Sequence, residues 1–106
     1  MASTRIRVPD VAIFRRDAPV QSVFTHPPLI ALEVLSPEDR VVRLNRTVND
    51  LMRFGASHIW FVDPAFREAW DCSNGDRIRT ERLAILDSPI HLDIPELFRS
   101  IENDEA

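Results

Sequence analysis

Residues 29–35 (LIALEVL) are apolar at every position except one, and the exception is Glu33. An unbroken apolar run of this length suits a strand covered on both faces. Upstream, residues 5–14 (RIRVPDVAIF) predict another strand, with Val8, Val11 and Ile13 supplying β-branched side chains. Pro9 breaks its hydrogen-bonding potential and points to an edge or a bulge. Residues 15–28 lie between the two and read as a loop, with Pro19, Pro27, Pro28 and the paired Arg15 and Arg16.

After the apolar run the period changes. Val41, Leu44, Val48, Leu51 and Met52 recur at helical spacing. The start is marked by Ser36 as a cap, Pro37 at the first helical position and Glu38 and Asp39 in the first turn. Gly55 marks the stop, and the opposite face carries Arg40, Arg43, Arg46, Asn49 and Arg53.

Residues 58–62 (HIWFV) predict a third strand closed by Asp63 and Pro64. A fourth is expected over 67–72, a turn over 73–76 and one or two further strands over 77–86. Asp87, Ser88 and Pro89 break the pattern. A short helix is expected over 95–101, with Asp93 near its start and a frayed tail over 102–106. The order is strand, strand, helix, strand, strand, strand, helix. It predicts an α/β (α+β) fold: a mixed sheet, one long helix after the second strand and a short C-terminal helix.

The 106 residues fit a single domain spanning 1–106. No stretch is long and apolar enough to span a membrane, and the start lacks the pattern of a signal peptide, so the expected location is the cytoplasm. Cys72 is the only cysteine, which excludes an internal disulfide and a multi-cysteine zinc site. It is expected to be a small buried hydrophobe. The net charge of −4 argues against a basic nucleic-acid coat protein, yet an acidic metal site also adds negative charge. All 13 basic residues of the Lys and Arg class are arginines.

Glu33 is the first candidate for chemistry. A carboxylate buried in such a run costs several kcal/mol unless something compensates it. A divalent cation is one compensation. Asp10 on the neighbouring strand would add a second oxygen ligand and the Val34 carbonyl a third. A competing reading pairs Glu33 with an arginine and leaves Asp10 in a turn. Trp60, Asp63 and Trp70 read as packing and turn residues, His58 as structural, and Ser36 as a cap rather than a nucleophile.

The segments RVPDVAIF, PPLIALEVLSPEDR, NDLMRFGASHIWFVDP and DSPIHLDIPELF, in this order and spacing, resemble the Uma-two family. That family is a restriction-endonuclease-like branch of the PD-(D/E)XK nuclease superfamily. The resemblance runs over residues 7–98. It implies a restriction-endonuclease-like fold and Mg²⁺- or Mn²⁺-dependent hydrolysis of DNA phosphodiester bonds. Asp10 and Glu33 match the metal ligands, and Val34 follows as a backbone ligand.

The chain departs from the family in two respects. Many members carry a lysine on the helix after the Glu strand; Thr47 is the matching position here, and the chain has no lysine. Arg43 and Arg46 flank Thr47 and would hold the scissile phosphate or stand in for part of the lysine's role, although arginine is a poor base. The family's N-terminal helix and strands have no counterpart, so a homodimer or another covering chain is expected. Two other readings stay open: an inactive nuclease-fold dimerisation or partner-binding module, and an unrelated small α/β domain.

Overall fold

A computed structural model describes residues 9–16, 27–36 and 41–105, with the side chains of 44–102 in the last stretch. The apolar run forms β2 (Ile30–Val34). It pairs antiparallel with β1 (Val11–Ile13) on one side and parallel with β3 (His58–Asp63) on the other. The parallel pairing needs a crossover, which α1 (Val41–Phe54) supplies. The sheet continues antiparallel through β4 (Glu68–Asp71) to β5 (Ile78–Arg79), in the order β1-β2-β3-β4-β5.

The two faces of this mixed sheet carry two cores. Because strand side chains alternate, Ala31, Ile59 and Phe61 point to one face, where Leu44, Val48 and Leu51 of α1 cover them. Ile30, Trp60, Val62 and Ala69 point to the other. That face is covered by Leu83 of β6 (Arg82–Ala84) and by Ile94 and Phe98 of α2 (Ile94–Glu105), and β6 pairs antiparallel with β7 (His91–Asp93). The result is three layers, α1, sheet, and hairpin with α2. The fold is mixed α+β, as the order of elements predicts.

Local chemistry accounts for the ends of the helices. Gly55 sits at φ 101°, where a side chain is strained. Its N–H donates to the Met52 carbonyl and the Ala56 N–H donates to the Leu51 carbonyl, both at 3.1 Å, closing α1 with a Schellman motif. Asp93 caps α2 by accepting from the Glu96 N–H at 2.9 Å. Residues 37–40, between the expected cap Ser36 and the described start of α1, lie outside the described residues, as do residues 5–8 and 17–26.

Three elements differ from expectation. The first strand covers Val11–Ile13 and leaves out residues 9, 10 and 14, while residues 5–8 lie outside the described residues. A strand missed in the sequence, His91–Asp93, returns beside Arg82–Ala84. The final helix runs through Glu105, where fraying after residue 101 was expected.

Cys72 is fully buried, and burial foremost, with Asp71 beside it, pushes its thiol up to about 11 from 9.0. The neutral thiol is thus favoured by folding. The stability it contributes is complete below pH 9.0 and is lost as pH rises through about 11. The native protein should therefore resist a thiol-specific disulfide reagent at neutral pH and react fully in denaturant. Rapid native-state labelling would contradict this burial.

Candidate metal site

The antiparallel register of β1 and β2 pairs Val11 with Leu32, Ala12 with Ala31 and Ile13 with Ile30. Asp10 is an exposed bend residue just before β1, and the same register continued one step would set it opposite Glu33. Residues directly opposite share a face, so the two carboxylates would then belong to the side of the sheet that α1 covers. The Val34 N–H donates to Asp10 Oδ2 at 2.7 Å, which ties the Asp10 side chain to the strand that carries Glu33. Glu33 is half-buried, and its Oε1 is withdrawn from solvent. In the next strand Phe61 stands beside Glu33 and is buried, so the pair has an apolar wall toward the sheet centre.

The donor set is two carboxylates and neighbouring backbone oxygen, all hard ligands suited to Mg²⁺ or Mn²⁺. In donor chemistry these residues fit a divalent cation, which Asp10 and Glu33 would hold. No group of three or more His, Cys, Asp or Glu side chains able to hold a metal occurs among the described residues. Among the described residues, further ligands would be backbone oxygen or water, which Mg²⁺ commonly retains.

The arginines fall differently. Thr47, at the position matched to the family's lysine, is buried on the packed side of α1 with Leu44, Val48 and Leu51. Arg46 is exposed. It lies about half a turn around the helix from the packed residues, so it faces away from the sheet. Arg43 lies in the first turn of α1, and its side chain is outside the described part. The structure thus ties Asp10 to the Val34 N–H, beside Glu33 in the chain, and turns Arg46 away from the sheet.

The remaining sequence candidates are structural. His58 pairs with Ile30 at the other end of the parallel ladder from Glu33, where its ring lies 6.3 Å from that of Trp60. Asp63 Oδ1 accepts from the N–H groups of Ala65 at 3.0 Å and Phe66 at 3.4 Å, building the turn after β3. Trp70 lies against the α1-side core. Missed in the sequence was a recess beside α2, on the opposite side of the sheet, which Arg67 and Arg79 border.

One solved structure decides the fold. It is described as a "putative nuclease belonging to DUF820 from Anabaena variabilis ATCC 29413", and it superposes with a TM-score of 0.64 at 19% sequence identity. The fold is restriction-endonuclease-like. The match covers 88% of this chain and 60% of the Anabaena chain, so this chain spans less than two thirds of that neighbour. No protein-family model matches the sequence, and no curated protein matches it. The likeness therefore shows a nuclease-like fold, and function has to be argued from the site.

No helix among the described residues is long and apolar enough to cross a membrane.

Proposed function

We propose that this nuclease-like domain hydrolyses DNA phosphodiester bonds with a divalent cation, Mg²⁺ or Mn²⁺, held by Asp10, Glu33 and the Val34 carbonyl. The observation that carries the reading is the 2.7 Å bond from the Val34 N–H to Asp10 Oδ2, which ties the Asp10 carboxylate to the residue next to Glu33. That bond fixes the Asp10 carboxylate before any ligand arrives, and such preorganisation is what a catalytic constellation requires. A cation bound there would supply positive charge against the phosphate and acidity for a water molecule. Asp10 and Glu33 would hold it as anionic ligands, and Phe61 keeps water from the inner side of the pair.

No lysine is available as a general base. Arginine cannot replace it in that role, because the guanidinium keeps its proton throughout the accessible pH range. Arg43, one turn before Thr47, would serve to hold phosphate, and Arg46 faces away from the sheet. Hydrolysis would thus depend on the carboxylate pair to a greater degree than in a site with lysine.

The absence of lysine favours one alternative, a catalytically inactive module that keeps the fold and binds a partner or a second copy. Supercoiled plasmid incubated with the protein in Mg²⁺, Mn²⁺ or EDTA separates the two. Nicking in either metal and none in EDTA is expected. No nicking under any condition would contradict the nuclease reading and favour the module, for which light scattering should then detect a dimer.

A further inference from the structure

Phe66 is 74% exposed, the most exposed aromatic side chain among the described residues. It is also held firmly. Asp63 binds its backbone N–H, Pro64 precedes it, and the pair Asp63–Glu68 closes the turn. The next residue, Arg67, takes φ 53°, a conformation uncommon for non-glycine residues. The Arg67 guanidinium pairs with Glu102 and lies 6.0 Å from the centre of the Phe98 ring, which anchors the turn to α2. A large apolar ring is therefore presented to solvent on a braced support.

Beside this turn is a recess of about 270 Å³. Ile94, Pro95 and Phe98 give it an apolar lining, and Arg67, Arg79 and Glu81 supply both donors and acceptors. That combination suits a flat heterocycle with a polar edge. The location matters as well. Phe61 stands in register with Glu33, and Phe66 follows it by five residues past the same end of the sheet. At strand rise, that separation is at most roughly 17 Å along the strand direction, and because the recess lies on the opposite face of the sheet from Glu33, a strand serving both would pass round the sheet end beside Phe66.

We infer that Phe66 and the adjoining recess form a binding site for unpaired nucleotides, with one base stacked on the Phe66 ring and a neighbouring base in the recess. The inference rests on the nuclease reading and narrows its substrate class to single-stranded or locally opened DNA. Arg79 is already paired with Glu68 at 3.3 Å, and Arg67 with Glu102. Stacking therefore has to be the main attraction, acting against a net charge of −4. The salt dependence of binding should be shallow.

The test is fluorescence anisotropy with a labelled oligo-dT strand and with a labelled duplex, in EDTA so that binding is read apart from cleavage. Wild type should prefer the single strand. Phe66→Ala should weaken that binding roughly tenfold, Phe66→Trp should restore it, and Leu86→Ala, at another exposed apolar residue, should leave it unchanged. Unaltered melting of Phe66→Ala would show that the loss is local. Equal binding by Phe66→Ala, equal binding of duplex, or no binding at all would overturn the inference, as would loss of self-association in Phe66→Ala without loss of DNA binding. Glu33-dependent plasmid nicking that persists beside any of these results leaves the nuclease reading standing, whereas its absence strikes that reading separately.

Discussion

Phe61→Ala should destabilise the protein by about 3–5 kcal/mol, more than any surface change. Phe61 is 1% exposed and lies at the centre of β3, itself the central strand of the sheet. Its ring packs in the core that α1 closes with Leu44, Val48 and Leu51. Truncation removes the transfer free energy of the ring and leaves a cavity that a sheet pinned on both sides cannot collapse to fill. A domain of this size has a net stability of roughly 5–15 kcal/mol, so the loss consumes a large part of it. Urea unfolding should show a markedly lower midpoint with little change in slope. Val11→Ala, at an exposed position on the edge strand, should shift the midpoint far less. Equal effects of the two substitutions would contradict the placement of the core.

Glu33→Ala should reduce metal-dependent plasmid nicking by at least roughly a hundredfold, since losing even an outer-shell partner of a metal site costs up to that much. Asp10→Asn should have a comparable effect for a different reason. An amide can still accept from the Val34 N–H, so the local geometry is kept, but the charge that would hold a cation is gone. Asp10→Ala loses both and should be the more damaging to local order. Arg46→Ala should retain most activity, because Arg46 is exposed on the far side of α1. Preserved activity in Glu33→Ala would remove the carboxylate pair from the mechanism.

Much of this fold was legible because its signals are local. The apolar run became β2, the helical period became α1, and Gly55 ended the helix with the φ it alone tolerates well. β7 was not legible. It has three residues, its single apolar side chain is Leu92, and Pro89 lies just before it, so no alternation could declare it. The length of α2 was hidden by Glu102, Asp104 and Glu105, which oppose the dipole at a helix C-terminus and predict fraying. A tertiary contact, the pairing of Glu102 with Arg67, supplies what the local sequence lacks.

The candidate site divides in the same way. Glu33 was visible as a carboxylate out of place in an apolar strand, and Asp10 as the partner of Pro9 in the strand expected before it. That Asp10 bonds to the Val34 N–H follows from pairing between strands far apart in sequence, which composition cannot encode. Phe66 carried no signal in the sequence, because exposure is a property of the folded chain.

The most direct test of the central claim is Mn²⁺ binding, measured by titration calorimetry and by electron paramagnetic resonance of free Mn²⁺. Wild type, Asp10→Asn and Glu33→Gln would be compared without DNA, each checked for folding by circular dichroism. Saturable binding by wild type that weakens in both variants is the expected result. Binding that survives unchanged in both folded variants, or no binding by wild type, would contradict a cation site built on Asp10 and Glu33.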